Sequence, residues 1–121
     1  MAKSFKELIA WQRADAVRLR VLAIARELPG MDVRFRSQWT DAAGSVCSNL
    51  AEGFGRYTHK DSARFVRQAR ASLMEVENQT IEARQRGYVT AGQEAELNVL
   101  IRRATVPILR WLRYLQTTPD P

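Results

Sequence analysis

Apolar residues recur at alternating spacings of three and four in successive stretches of this chain, and this spacing constrains the fold more than any other feature. The first stretch has Ala10, Ala14, Val17, Val21, Ile24 and Leu28 at such positions, and the second has Trp39, Ala43, Val46 and Leu50. The third has Phe65, Ala69, Leu73, Val76, Thr80 and Ala83, and the fourth has Leu97, Ile101, Ala104, Ile108, Trp111 and Leu115. Each stretch therefore predicts a helix with one apolar stripe that must pack against other helices.

Turn and capping residues divide the chain into helices over about residues 5–28, 37–53, 61–86 and 91–116. Ser4 with Glu7 and Thr90 with Gln93 have capping-box spacing, and Ser37 is the predicted N-cap of the second helix. Thr58 or His59 is the predicted cap of the third. Pro107 inside the fourth helix predicts a kink near Arg103. Because short connections make neighbouring helices antiparallel, we predict an all-α, antiparallel up-down four-helix bundle, one domain covering residues 1–121.

The composition is typical of a globular protein. Of 121 residues, 45% are hydrophobic and 26% charged. No apolar run approaches the ~20 residues of a membrane span, and the polar first residues lack the apolar stretch of a signal peptide. We therefore expect a soluble, cytoplasmic protein with no membrane partner.

The sequence offers little for catalysis. Cys47 is the only cysteine and His59 the only histidine. Cys47 stands among small residues, which favours a buried residue over a reactive thiol. His59 precedes a predicted helix, where we expect an exposed loop residue. A triad or a histidine metal site lacks its other members, so we predict no enzyme, no metal and no cofactor.

The net charge of +6 favours polyanionic partners. A basic strip on the turn before the third helix and on its first turns consists of Arg56, Lys60, Arg64, Arg67 and Arg70. Two interpretations are open: a site for nucleic-acid phosphates, or an ordinary solvated or inter-subunit face. Tyr57 is the one neighbouring aromatic residue that could stack on bases.

Ser45, Asn49 and Glu52 form a polar row beside the apolar row of the second helix. The Glu52 carboxylate lies near the helix C-terminus, where a negative charge is unfavourable, and Arg56 is its predicted partner. The row either pins this helix end and the following turn, or packs against another helix, or contacts a ligand or nucleic acid.

These residues also resemble a known family, the four-helix-bundle proteins first noticed as reading frames in intervening sequences of large-subunit ribosomal RNA genes. Residues 5–14 are similar to its opening motif F-x-x-L-x-[VA]-W-x-x-A, which includes Trp11. Residues 38–56 resemble its central signature, which runs from Gln38 through Ser45, Asn49, Glu52 and Gly53 to Arg56. Ala69, Ser72, Leu73 and Glu75 resemble a later motif, A-x-x-S-L-x-E.

The resemblance implies a four-helix bundle assembled as a ring-shaped homo-oligomer, a pentamer, with no known enzymatic activity. Related bundle proteins are accessory factors of diversity-generating retroelements, which bind nucleic acid and a reverse transcriptase through a basic surface. Thr40 and Asp41 stand where the family often has basic residues, which gives less support for nucleic-acid binding by the second helix. Cys47 replaces a frequent proline, which predicts a straighter helix.

Two main hypotheses follow. The first is a non-enzymatic oligomeric bundle that binds RNA or DNA phosphates through the basic strip and the arginines of the first and fourth helices, as an accessory to a nucleic-acid enzyme such as a reverse transcriptase. The alternative is a protein–protein assembly module in which Trp39 and Phe54 contact other subunits or partners. A small-molecule enzyme would require a deep pocket lined by Asn49, Glu52 and arginines.

Overall fold

The computed structural model describes residues 2–121, and these form four long helices. A 3₁₀ turn at Phe5–Glu7 precedes α1 (Ile9–Glu27), α2 (Val33–Phe54), α3 (His59–Gln85) and α4 (Ala91–Thr117). Each helix packs against its neighbours in chain order, and α4 closes the bundle against α1. The predicted antiparallel up-down four-helix bundle is confirmed.

The predicted apolar stripes form the core. Residues such as Val21, Trp39, Leu50, Val66 and Leu97 are completely buried. Three predicted stripe residues, Leu28, Phe65 and Trp111, are only half-buried, because they lie at the ends or edges of the helix contacts. Since Trp39 is completely buried, the hypothesis that it contacts other subunits is wrong.

The predicted start of the second helix at Ser37 is also wrong. Asp32 is the N-cap of α2, and its Oδ2 accepts a hydrogen bond from the Phe35 backbone N–H at 2.9 Å. Phe35 is four residues before Trp39 and is buried, so the apolar row extends one turn further toward the N-terminus than expected. The Asp32 N–H in turn donates to the hydroxyl of Tyr88, which joins this cap to the α3–α4 turn.

The first helix also differs from the prediction at its start. Ser4 caps the 3₁₀ turn, its hydroxyl accepting from Lys6 N–H, whereas the Glu7 carboxylate accepts from the Lys3 N–H and not from Ser4. Leu8 is extended, and α1 begins only at Ile9. The predicted capping box of Ser4 and Glu7 is therefore wrong, because the chain turns before the α-helix starts.

The predictions around α4 are largely confirmed. Thr90 and Gln93 form the capping box, with bonds of 3.1 and 2.8 Å in the two directions. Gly87 has a φ of 77°, the left-handed conformation that a glycine adopts at a helix end. α4 is assigned as one helix through Pro107, and the kink near Arg103 stays a prediction. No helix among residues 2–121 combines the length and hydropathy needed to cross a membrane.

Candidate nucleic-acid interface

The predicted basic strip divides into two groups with different surroundings. Arg56 and Arg64 are held by acidic residues: Arg56 Nη2 lies 3.1 Å from Glu52 Oε2, and Arg64 Nη2 lies 2.9 Å from Asp61 Oδ1. Arg56 Nε is also 3.7 Å from Asp61 Oδ2. Both guanidinium groups lie 4.4 Å from the ring centroid of Phe65. The predicted Glu52–Arg56 pair is confirmed, and the charge of this group is largely neutralised.

Local backbone features place the Arg56–Arg64 group. Thr58 caps α3 by accepting from the Asp61 N–H at 3.1 Å, which fixes Asp61 in the first turn, where a carboxylate is favourable. Gly53 lets the end of α2 approach the start of α3. A Cβ atom added at Gly53 would lie 3.3 Å from the Ser62 carbonyl oxygen and 3.4 Å from Phe65 Cβ. The close helix contact therefore brings Phe65 beneath Arg56.

The remaining strip residues, Lys60, Arg67 and Arg70, lie on the side of α3 that faces α4. Lys60 and Arg67 line a cleft together with Leu115 and Thr118 at the end of α4. Arg70 lines a groove further along α3, which it shares with Arg102. No ion pair within residues 2–121 involves Lys60, Arg67 or Arg70. Their charges are therefore available to an external anion.

The outer surface of α4 continues this group of unpaired cations. Four arginines lie there, all exposed: Arg102, Arg103, Arg110 and Arg113. Since successive residues of a helix are turned by about 100°, these four side chains leave α4 within an arc of about 100°. No acidic residue occurs between Glu96 and Asp120. None of the four arginines has an ion pair within the described residues.

We call the seven residues Lys60, Arg67, Arg70, Arg102, Arg103, Arg110 and Arg113 the α3–α4 basic face. The basic strip predicted from the sequence contained three of these residues, Lys60, Arg67 and Arg70. The nucleic-acid hypothesis also included the arginines of the fourth helix, without naming them individually. The signal that could have found them was the acid-free segment after Glu96, read together with helical spacing. Arg13 extends the face toward α1, since its Nη1 donates to the Arg103 carbonyl at 3.1 Å.

Two acidic residues line the same clefts as members of the α3–α4 basic face. Glu77 is exposed and lines the same groove as Arg70 and Arg102. Asp120 lies in the cleft with Lys60 and Arg67. Two carboxylates against seven cations leave the face strongly positive, so it would attract polyanions.

The polar row of α2 makes contacts within the bundle. The hydroxyl groups of Ser45 and Ser72 are 3.0 Å apart, which joins α2 to α3. Asn49 Nδ2 donates to the Ser45 carbonyl at 2.9 Å and lies 3.1 Å from the Ser45 hydroxyl. Among the other signature residues, the half-buried Trp11 packs edge-on against Phe5, and Gln38 is exposed. This geometry gives the Ser45–Asn49 pair a part in packing α2 against α3.

Cys47 and His59, the two residues considered for chemistry, both lie against other side chains of the bundle. Cys47 is buried, as predicted, and burial, assisted by the nearby Asp15 carboxylate, raises the pKa of its thiol to about 11. Arg18 opposes this rise. The expectation that His59 is an exposed loop residue is wrong. It is the first residue of α3, is half-buried, and its Nδ1 lies 2.8 Å from the Thr118 carbonyl. No cluster of metal-ligating side chains occurs within residues 2–121.

One protein-family model matches most of the chain. The family model described as "23S rRNA-intervening sequence protein" matches residues 6–107. The chain belongs to that family. The match covers α1, α2, α3 and the part of α4 up to Pro107, so it includes Arg102 and Arg103 of the basic face. Arg110 and Arg113 lie beyond the matched part of this 23S rRNA-intervening sequence protein. No curated protein matches the chain significantly.

Proposed function

We propose that this 23S rRNA-intervening sequence protein is a non-enzymatic accessory protein that binds the phosphates of RNA or DNA. The observation that carries the proposal is the α3–α4 basic face, in which seven exposed cations lack ion-pair partners among residues 2–121. Unpaired surface cations that share one side of a protein are the usual electrostatic feature of nucleic-acid binding.

The residue types on this face suit phosphate recognition. Six of the seven are arginines, whose planar guanidinium groups donate two parallel hydrogen bonds to a phosphate. Neutralising phosphates releases condensed counterions, and this supports binding to any sequence at low salt. Phosphate binding of this kind therefore positions the protein on the nucleic-acid backbone and does not distinguish between bases.

Assembly would strengthen such binding. We propose a cytoplasmic homo-oligomer, a pentamer, in which the basic faces of several subunits contact one nucleic acid, so that the effective concentration of each further contact is high. A reverse transcriptase or another nucleic-acid enzyme would then act on the bound strand. The support for this part of the proposal is the family resemblance.

The state of the possible nucleophiles supports a role without catalysis. The Cys47 thiol is buried and has a raised pKa, so it supplies little thiolate at neutral pH. The His59 ring is held between the Thr118 carbonyl and Tyr114, whose ring centroid lies 5.3 Å away.

A protein–protein assembly module is the second candidate function, and one groove favours it. The groove between α3 and α4 has a volume of about 360 Å³ and an apolar floor that includes Leu73 and Ile108. Met74 and Val106 at its rim are 58% and 46% exposed, which is high for large apolar side chains. Burial of this groove against another subunit would remove that surface from water.

The proposal is tested by measuring the affinity of the purified protein for a structured RNA and for duplex DNA across a salt series. The key variant is Arg110→Gln with Arg113→Gln. Its matched control is Arg26→Gln with Arg34→Gln, which removes the same charge from exposed positions at the opposite end of the bundle. Light scattering confirms that all forms have the same oligomeric state.

We expect the Arg110/Arg113 variant to bind less tightly and to lower the slope of log K against log salt by about 0.9 for each duplex phosphate that it no longer neutralises. The control should change affinity much less. A third variant, Arg56→Gln with Arg64→Gln, should also have a small effect, because both side chains are already paired. Absence of wild-type binding at low salt, or equal weakening by all three variants, would refute the α3–α4 basic face as the site.

A further inference from the structure

The end of the chain folds back onto the start of α3. After α4 ends at Thr117, the carbonyl of Thr118 lies 2.8 Å from His59 Nδ1. Asp120 Oδ1 then accepts a hydrogen bond from the His59 backbone N–H at 2.7 Å. We call residues 118–120 the C-terminal tail. Its two contacts join positions 59 and 61 residues apart, so they are tertiary contacts.

The contacts of the C-terminal tail satisfy groups that α3 cannot satisfy itself. The N–H of His59, at the first position of α3, has no acceptor within its own helix, and a carboxylate at a helix N-terminus is favoured by the macrodipole. A carbonyl oxygen only accepts, so His59 Nδ1 must carry the hydrogen in its bond to Thr118. The His59 ring packs on Tyr114 of α4, which fixes its orientation.

The tail also places a negative charge beside the α3–α4 basic face. Asp120, Lys60 and Arg67 line one cleft of about 340 Å³ between the start of α3 and the end of α4. Asp120 is the one carboxylate side chain that follows Glu96 in the sequence. It therefore lies where a phosphate bound by Lys60 and Arg67 would have to approach.

We propose that the C-terminal tail is an autoinhibitory element in which the Asp120 carboxylate competes with nucleic-acid phosphates for the Lys60–Arg67 end of the basic face. The inference rests on the proposed function, whose regulation it describes. With the tail docked, an incoming phosphate meets a like charge at this cleft. The observed affinity is then reduced by the fraction of molecules whose tail is docked.

The contacts identify what releases the tail. Loss of the Asp120 charge removes the competing carboxylate and weakens the hydrogen bond from the His59 N–H, since an asparagine oxygen accepts it without charge assistance. Replacement of His59 by alanine removes the bond to the Thr118 carbonyl and the packing on Tyr114, and it leaves Asp120 in the chain. Both changes should reduce the negative charge at the cleft that Lys60 and Arg67 line. The first removes the Asp120 carboxylate, and the second weakens the docking of the tail that carries it.

The test measures binding of a structured RNA to the full chain and to the variants Asp120→Asn and His59→Ala. The matched control is Asp41→Asn, which removes one carboxylate from an exposed position of α2 that has no ion pair within residues 2–121. Amide hydrogen exchange at residue 59 reports tail docking in the free protein, independently of RNA.

We expect Asp120→Asn to strengthen binding by roughly two- to fivefold at low salt, the size expected when repulsion between two unit charges a few ångströms apart in water is removed. His59→Ala should act in the same direction, and Asp41→Asn should have a clearly smaller effect. The His59 amide should exchange faster in Asp120→Asn than in the wild type.

Two results separate this inference from the proposed function. If the wild type binds RNA but Asp120→Asn and Asp41→Asn change the affinity equally, the tail is not a competitor, and the phosphate-binding function stands. If neither the wild type nor Asp120→Asn binds RNA at any salt concentration, the proposed function fails and the inference fails with it.

Discussion

Arg13 of α1 donates a hydrogen bond to the carbonyl of Arg103 in α4, with 3.1 Å between Nη1 and the oxygen. That carbonyl is the one that would accept from the residue at position 107, where proline has no N–H. A side chain of one helix thus supplies the hydrogen bond that is missing from the backbone of another helix. The same bond joins α1 to α4 beside the basic face.

This relationship predicts that the effect of Arg13 depends on Pro107. Arg13→Met, which keeps most of the aliphatic stem, should lower the free energy of unfolding by about 1 kcal/mol, the usual net value of one hydrogen bond. Pro107→Ala restores a backbone N–H for the Arg103 carbonyl, so Arg13→Met should cost much less in that background. Urea unfolding of the four proteins gives the coupling energy. A coupling near zero would show that the Arg13 bond does not replace the missing backbone bond.

Two helical glycines of α2 should respond in opposite ways to alanine. A Cβ at Gly53 would lie 3.3 Å from the Ser62 carbonyl and 3.4 Å from Val66 Cγ2, so Gly53→Ala should destabilise the bundle by about 1–3 kcal/mol through overpacking. Gly44 has no atom within 4 Å of such a Cβ. Gly44→Ala should therefore stabilise the protein by up to about 1 kcal/mol through helix propensity. Thermal and urea unfolding of both variants measure the two changes in stability. Changes of the same sign would contradict the close approach of the helices at Gly53.

The buried thiol of Cys47 should make stability fall at high pH. Burial, followed by the Asp15 charge, raises its pKa from 9.0 to about 11 in the folded chain. Between these values the unfolded chain loses the thiol proton first, so the folded state binds more protons. The free energy of unfolding should then decrease as the pH rises, by at most about 1.4 kcal/mol per pH unit. Below pH 9 this contribution is constant.

The measurement is the difference in unfolding free energy between the wild type and Cys47→Ala from pH 8 to pH 10.5. Tyrosine ionisation affects both proteins equally and cancels in the difference. A difference that does not change with pH would mean that the thiol titrates normally in the folded chain.

The hydroxyl pair of Ser45 and Ser72 should show the asymmetry expected of a half-buried hydrogen bond. Either single alanine variant removes the hydrogen bond between the two hydroxyls and should cost about 1 kcal/mol. The double variant should cost less than the sum of the two, because the hydrogen bond that the two hydroxyls share is lost only once. Additive costs in urea unfolding would show that the 3.0 Å contact contributes nothing specific.

The helices were predicted well because the patterns that specify them lie within short stretches of the sequence. The spacing of Val17, Val21 and Ile24 follows from one helix packing against others, and the Thr90–Gln93 capping box lies within four residues. The predicted start of α2 was wrong because the sequence offers two possible N-cap residues, Ser37 and Asp32. Ser37 precedes the obvious apolar row, whereas Asp32 caps a turn whose only apolar core residue, Phe35, stands alone in the sequence.

The site was harder to predict because part of it depends on contacts between distant residues. The Glu52–Arg56 and Asp61–Arg64 pairs lie within one helical turn, and the first was predicted, whereas the packing of Arg56 on Phe65 depends on the approach of α2 to α3. The contact of Asp120 with His59 joins the segment after α4 to the start of α3. Spacing within one helix carries no information about such a contact.

The order in which the helices pack has a consequence for folding. Contacts between α1 and α2, α2 and α3, and α3 and α4 each close a short loop, whereas the contact of α4 with α1 joins the two ends of the bundle. Since closing a longer loop costs more chain entropy, we expect successive helical hairpins to form first and the α1–α4 seam to close last. The bond between Arg13 and Arg103 lies on that seam, so we expect its removal to speed unfolding and to leave the folding rate nearly unchanged.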